Sequence, residues 1–408
     1  MKIGRSMLLM ASIALICFAI AFSASMLLVQ QSTKTIIVTE TQPVLGEQQY
    51  REGVKHLLEG VVGWVEEHRG LSLEENVSIE VLTKNWVIEH WGKGFLNVTE
   101  VTLEEKILKS LFIVPQDFNL TKFKIGTSGC TIAASSGHTI YVVKELFDPN
   151  DKPRAASILA HELTHILQGE HFTIPAAETS DGEKAILALI EGDANLVASH
   201  YLLEHGIRRE KIWERALRPI DALWFFPYLY GEQFVEFIYQ KRGWSGVNAV
   251  YSDPPKSTAE ILHPDKYLSG WKPIDVSLPE EVGDGWKLML KDTLGEFFIR
   301  EMLRTHLSYS GANESADGWL GDSVHLYEGN KTYLVKWKIV WETEGDAEDF
   351  MKSFKKILQD VGAAEIDHNT WRTSYEAVEL QLSGRQTLIT IISPPVEKLS
   401  SSSTPIVA

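Results

Sequence analysis

The stretch that decides the fold is "SILAHELTHILQGEHF", residues 157–172. His161 and His165 stand four residues apart, so on a helix both imidazoles project from one face, a single turn apart. That separation lets two imidazoles reach one Zn²⁺ at about 2.0–2.1 Å each. Glu162 lies at the flank of the pair, where a carboxylate can hold a water beside a metal. The stretch therefore predicts a helix that carries two metal ligands.

A polar face exposed to solvent would give the same pattern. Ser157, Thr164 and Gln168 fall on the side of the two histidines, opposite an apolar arc. That arc consists of Ala155, Ala156, Leu159, Ala160, Leu163, Ile166 and Leu167. With 13 histidines in 408 residues, a chance His-Glu-x-x-His has a likelihood of roughly a few per cent. A third ligand is needed to decide between the two interpretations.

Two residues are candidates for the third ligand. His171 stands six residues after His165, the spacing of the metzincin pattern HExxHxxGxxH. That pattern needs a glycine at position 168, where this chain has glutamine. The other candidate is Glu191 in "EKAILALIEGDANLVASHYLL", for which the pair Ser180 and Glu183 predicts a capping box.

Glu191 is the better candidate because its helical neighbours are apolar and mostly small. These neighbours are Leu187, Ala188, Ala194 and Ala198. Burying an ionised carboxylate without a partner costs several kcal/mol or more, so Glu191 is expected to pair with an arginine or to bind a metal. Small side chains would let two helices approach closely enough for one metal to bridge them. Asp193 points to another face, where we expect an ion pair or a supporting role.

The N-terminal segment predicts a membrane anchor. Lys2 and Arg5 precede an uncharged apolar run over residues 7–29, which is long enough to span a bilayer. Cleaved signals usually have apolar stretches of about 7–15 residues, so we favour an uncleaved anchor, with cleavage and secretion as the alternative. Basic residues tend to stay cytoplasmic, which places residues 31–408 outside the cell.

Composition excludes some classes of function. The formal net charge of −16 argues against sequence-independent binding to nucleic acid, which depends on clustered Lys and Arg. Cys17 lies in the apolar run and Cys130 is alone in the exported part, so no intrachain disulfide framework is possible there. Nothing in the sequence fixes the oligomeric state.

Hydrophobic periodicity predicts a mixture of helices and strands. Residues 48–69 predict a helix that stops before Gly70, and residues 129–147 predict a hairpin whose second strand is "HTIYVVK". Residues 286–307 predict an amphipathic helix. A strand is also expected at 77–83 and a helix at 102–113. The remaining predicted elements are a strand at 333–342, a helix at 346–359, and strands at 375–382 and 386–393.

These residues resemble the gluzincin group of zincin metallopeptidases, in which an HExxH helix is followed by a glutamate ligand on a second helix. The order of the strand "HTIYVVK", the "HELTH" helix and the glutamate helix is similar to the zincin plan. The wider pattern "HELTHILQGEHF…ALIEGDA", with "PYLYGEQFV", "PPKSTAEILHP" and "ADGWLGD", is similar to a set of largely uncharacterised bacterial and archaeal proteins. One departure is Asn195, because many gluzincins have an acid there that orients a histidine.

The resemblance implies a zinc-dependent peptidase. Zn²⁺ would be held by His161, His165 and Glu191, with one position left for water, and Glu162 would move the proton. The substrate would be a peptide or protein. For the hydrogen-bond donor to the oxyanion the candidates are His263 and Tyr228, followed by Tyr230 and Tyr267.

The expected fold class is α+β, with a zincin-like metallopeptidase domain of mixed sheet plus active-site helices and a smaller C-terminal α+β module. The expected domains are a cytoplasmic stub and transmembrane helix at 1–30, a stalk at 31–44, the metallopeptidase domain at 45–280, the module at 281–395 and a disordered tail at 396–408. Two alternatives stay open: a non-catalytic zinc-containing surface protein, and a metal-dependent hydrolase of a non-peptide amide. Glu162 favours catalysis, because a structural zinc site has no use for that carboxylate.

Overall fold

The computed structural model describes residues 46–209 and 213–393. The predicted anchor, stalk and tail lie outside these residues. Among the residues described, no helix is both long enough and apolar enough to cross a bilayer. The fold class is α+β, with a three-stranded mixed sheet and a seven-stranded antiparallel sheet.

The N-terminal part packs helices against the small sheet. Its elements are α1 (Glu47–Arg69), β1 (Ser78–Leu82), α2 (Lys84–Val87), a π-helical turn (Ile88–Gly92), α3 (Val98–Ser110), α4 (Leu120–Ser128), β2 (Ala133–Ser136) and β3 (Thr139–Val143). The order in the sheet is β1-β3-β2, with β1 parallel and β2 antiparallel to β3. Helix α1 ends as predicted, because Gly70 adopts a left-handed conformation with φ 69°. The predicted hairpin is confirmed.

The central part is helical and carries the HELTH stretch. Its elements are α5 (Lys152–His171), α6 (Ser180–Glu204), a 3₁₀ turn (Glu214–Ala216), α7 (Pro219–Val250), α8 (Thr258–Leu262) and α9 (Pro264–Leu268). Helices α6 and α7 touch through their backbones, since a Cβ atom added at Gly192 would lie 2.2 Å from the carbonyl oxygen of Gly231. The apolar arc of α5 faces α1 and the small sheet in one hydrophobic cluster.

The C-terminal part is built on the large sheet. Its elements are β4 (Lys287–Asp292), α10 (Gly295–Arg304), α11 (Tyr309–Ala316), β5 (Trp319–Gly329), β6 (Thr332–Trp341), α12 (Glu344–Asp360), β7 (Ala364–Asp367), β8 (Thr370–Arg372), β9 (Ala377–Ser383) and β10 (Gln386–Ser393). The strand order is β4-β5-β6-β10-β9-β8-β7. Trp337 and Trp341, in the aromatic strand "KWKIVW", are fully buried against α12. One hydrophobic cluster joins this sheet to α6, α7 and α10.

Two predictions about local structure are wrong. Residues 286–307 form β4 and then α10, because Gly295 has φ 83° and a Cβ there would collide with the carboxylate of Asp181. The predicted capping box of Ser180 and Glu183 is not formed, because α6 begins one residue earlier than predicted and its third residue is Gly182, which has no side chain. Thr179 is the N-cap and accepts from the backbone N–H of Gly182, while the Ser180 hydroxyl bonds Asp292.

Candidate metal centre

Three side chains from two helices converge at one point. Helix α5 supplies His161 and His165, and α6 supplies Glu191. The Nε2 atoms of the two imidazoles are 3.0 Å apart. The Oε2 atom of Glu191 lies 3.3 Å from Nε2 of His161 and 3.6 Å from Nε2 of His165. The structure thus brings together the three residues predicted as ligands.

The site is buried, which removes the solvent-exposed interpretation of the HELTH face. His161 is 0 % exposed, His165 7 % and Glu191 1 %. Thr164 and Gln168, on the same side of α5, are also buried, because this side packs against α6. The ion-pair partners that the structure gives Glu191 are the two imidazoles rather than an arginine.

The spacing of the three ligand atoms fits a tetrahedral zinc site. Ligands at 2.0–2.1 Å in tetrahedral geometry stand about 3.3–3.4 Å from one another. The three separations here, 3.0, 3.3 and 3.6 Å, lie around that value. Oε2 of Glu191 is buried, and no described residue gives it a hydrogen bond of good geometry. A buried carboxylate oxygen facing two imidazoles is therefore suited to a cation.

Electrostatics favour the protonation states that a metal site needs in His161 and Glu191. Burial lowers the pKa of His161 to about 4, so its imidazole is neutral at pH 7. Burial alone would raise the pKa of Glu191, but the neighbouring imidazoles outweigh it and lower that pKa. A neutral imidazole and an ionised carboxylate can bind a divalent cation without first releasing protons.

His165 is held by a chain of buried polar groups. Its Nδ1 atom lies 2.8 Å from Oε1 of Gln168, whose amide nitrogen in turn reaches Asp193. Asp193 forms a bidentate pair with Arg69, at 2.9 and 3.0 Å, and accepts from the hydroxyl of Tyr251 at 2.8 Å. The ion pair expected for Asp193 is thus observed.

His161 has no comparable support. Its Nδ1 atom and both side-chain amide atoms of Asn195 are buried and make no hydrogen bond among the residues described. The structure therefore lacks the hydrogen bond that the position of Asn195 offered to a histidine.

The remaining histidine candidates lie apart from the three ligands. His171 contacts the backbone oxygen of Ser72 at 2.8 Å and is not a member of the cluster. His263 pairs instead with Glu296, Nε2 to Oε1 2.7 Å, and this pair raises the pKa of the imidazole. His263, Glu296 and Asp317 form a second group whose ligand atoms lie close enough together to bind a cation. The role of His263 as hydrogen-bond donor to the oxyanion stays a prediction.

The tyrosine candidates are on or near α7. Tyr228 is buried and packs edge to face against Phe225. The Tyr230 hydroxyl is held by Glu214 and Arg300, and that of Tyr267 donates to the backbone oxygen of Asp253 at 2.8 Å. The role of Tyr228 as a hydrogen-bond donor to the oxyanion stays a prediction.

Sequence reasoning missed three members of the site. Gln168 carried a signal, since it lies three residues after His165 on the same face and stands where the metzincin pattern needs glycine. Arg69 and Tyr251 carried none, because they reach Asp193 from the end of α1 and from the turn after α7, 124 and 58 residues away.

Comparisons with known proteins match parts of the chain. Residues 287–402 match a family described as a domain of unknown function, DUF8575, and this match does not include α5 or α6. No curated protein matches the chain. Among solved structures, the chain is similar to a "putative hydrolase with a novel fold" from Chloroflexus aurantiacus, with 19 % identity over 56 % of this chain and 92 % of that one. The TM-score is 0.37, which does not establish a common fold.

Proposed function

We propose that this protein is a zinc-dependent peptidase of the gluzincin type. Its N-terminal segment would hold it in the cell membrane, with the folded part outside. The observation that carries the proposal is the buried convergence of His161, His165 and Glu191 at separations suited to tetrahedral zinc. The choice of a peptide substrate rests on the resemblance to gluzincins.

Each side chain has a defined task in such an enzyme. When bound, zinc supplies Lewis acidity for hydrolysis. The two histidines offer Nε2 atoms and Glu191 offers a carboxylate oxygen. Glu162 follows His161 directly on α5 and is 1 % exposed. Its carboxylate would take a proton from the attacking water and pass it to the leaving amine, a role typically worth 10²–10⁴-fold in rate.

The test is metal content and turnover of the full chain, purified in detergent. We expect about one zinc per chain, which His161→Ala and Glu191→Ala remove, in keeping with a three-residue site. Cleavage is measured on a quenched peptide library. Glu162→Gln should keep the metal and lose about 10²–10⁴-fold in turnover. Tyr228→Phe tests the oxyanion role.

The matched control is Glu170→Gln. Glu170 lies two turns further along α5, has a side chain only 7 % exposed, and pairs with His138 instead of the cluster. It should keep both metal and turnover. Zinc that survives His161→Ala and Glu191→Ala would overturn the proposed site. Zinc binding without any cleavage would favour the non-catalytic or non-peptide alternatives.

A further inference from the structure

Gln168 connects both ligand helices at the candidate site. Its Oε1 atom lies 2.8 Å from Nδ1 of His165 on α5. Its Nε2 atom lies 2.9 Å from the backbone oxygen of Ile190 and 3.3 Å from Oδ2 of Asp193, both on α6. Ile190 directly precedes the ligand Glu191, so one amide spans the two elements that supply the three ligands.

The orientation of this amide is fixed by what it touches. A backbone carbonyl only accepts hydrogen bonds, and both oxygens of Asp193 accept from Arg69, so the NH₂ group of Gln168 has to face Ile190 and Asp193. The amide oxygen then has to face His165. An amide oxygen also only accepts, so Nδ1 of His165 carries the hydrogen, and in the neutral imidazole the lone pair then lies on Nε2.

The carboxylate of Asp193 is itself held by several partners. Arg69 binds both of its oxygens, and the guanidinium lies 4.5 Å from the centre of the Trp244 ring. Tyr251 donates a third hydrogen bond. Arg69 and Asp193 are both fully buried. A charge held so firmly leaves the amide of Gln168 one favourable orientation.

We infer that Gln168 is a positioning residue, which sets His165 in the tautomer whose Nε2 can bind a metal. This inference rests on the proposed metal site for its purpose, but the tautomer itself exists in the metal-free protein. Groups that orient a metal-binding histidine typically change metal affinity by 10–100-fold when they are removed. Gln168→Met keeps the length of the side chain and removes its hydrogen bonds.

The experiment reads tautomer and affinity separately on the full chain. In metal-free protein labelled with ¹⁵N-histidine, and with His165→Gln to assign the signal, His165 should show a protonated Nδ1 and a bare Nε2. Gln168→Met should give a mixture of tautomers. Zinc affinity, measured by competition with a chromogenic chelator, should fall by about 10–100-fold.

Two further variants keep the test decisive. Gln168→Asn preserves an amide but is one methylene shorter, so it should also lose affinity while disturbing the packing less. Gln233→Met is the matched control, because the amide of Gln233 likewise donates to a helix carbonyl, that of Leu229, at 2.7 Å. Gln233→Met should change neither the tautomer of His165 nor the zinc affinity. A wild-type His165 with hydrogen on Nε2, or an unchanged affinity in both Gln168 variants, would overturn the inference. Failure of the wild type to bind zinc would overturn the proposed function, and the tautomer reading would still stand.

Discussion

Glu191 in the helical part and Asp322 in the large sheet are buried to the same degree, 1 % and 2 % exposed, yet their surroundings differ completely. Asp322 accepts four hydrogen bonds of 2.9–3.0 Å, from the backbone of Leu294 and Gly295 and from the indoles of Trp319 and Trp337. Glu191 faces two imidazole nitrogens, and its Oε2 atom has no hydrogen bond of good geometry within the described chain.

The difference separates two uses of a buried acid. Four donors satisfy the hydrogen-bonding capacity of the Asp322 carboxylate, which leaves no oxygen lone pair for a ligand. These hydrogen bonds connect β5 and β6 to the start of α10. Glu191 lacks such donors, and a cation would complete it. Burial alone therefore does not mark a candidate ligand; Glu191 differs from Asp322 because its incomplete hydrogen bonding is combined with two imidazoles that face it.

The largest effect that would test this comparison is on zinc affinity. Glu191→Gln replaces a charged ligand with a neutral amide. We expect more than about a thousandfold loss, roughly 4 kcal/mol, because even groups outside the ligand set cost 10–100-fold. Metal-free stability should stay equal or rise. Chelator competition and urea unfolding measure the two quantities. Asp322→Asn serves as the control and should bind zinc as the wild type does; equal affinities in both variants would break the comparison.

A smaller effect is expected on folding when Asp322 itself is changed. Asp322→Asn puts an NH₂ group against two of the four donors and leaves two buried N–H groups without an acceptor. At 1–3 kcal/mol for each such group, the free energy of unfolding should fall by about 3 kcal/mol. Urea unfolding followed by tryptophan fluorescence measures it. The exposed substitution Asp349→Asn should be neutral. A loss below 1 kcal/mol would mean that the four hydrogen bonds do not stabilise the fold.

The smallest effect concerns a third kind of buried acid. Burial raises the pKa of Glu376 to about 8. Ser110 and Gln116 lower this pKa, but their effect is smaller than that of burial. The carboxyl group is therefore protonated at pH 7. The folded state then binds a proton that the unfolded state releases near pH 4.5, and stability falls as the pH rises from there to about 8. Glu376→Gln should flatten this fall and raise stability at pH 9 by about 2 kcal/mol.

Melting temperature measured between pH 5 and pH 9 checks this sign. The exposed residue Glu348 offers the control, since Glu348→Gln should leave the slope of the wild type unchanged. A steeper fall in Glu376→Gln than in the wild type would show that Glu376 is ionised in the folded protein.

Much of the candidate site could be predicted because the three predicted ligands lie on two helices that the sequence indicates. Four-residue spacing places His161 and His165 together in any helix, and the small neighbours of Glu191 indicated a close helix contact. The network behind them could not be predicted, since Arg69 meets Asp193 only through the packing of α1 on α5 and α6. Tertiary contacts of this kind leave no periodic trace in the sequence.

The large sheet was predicted only in part, for a physical reason. Strand β5 is buried along most of its length on both faces, so its polar residues do not mark a solvent-facing side. The polar residues Asp322 and His325 are buried within this strand, which made the strand harder to predict from the sequence. Residues 286–307 carry apolar positions that suit a helix or a strand, and the turn at Gly295, which divides them, depends on contacts with Asp181 and Asp322.

The backbone contact between Gly192 and Gly231 limits which substitutions these two positions can accept. Any side chain added at either position would push α6 away from α7 and carry the neighbouring Glu191 with it. In a saturation mutational scan selected for metal retention, these two glycines should tolerate as little as the ligands do, although neither contributes an atom that could touch a cation.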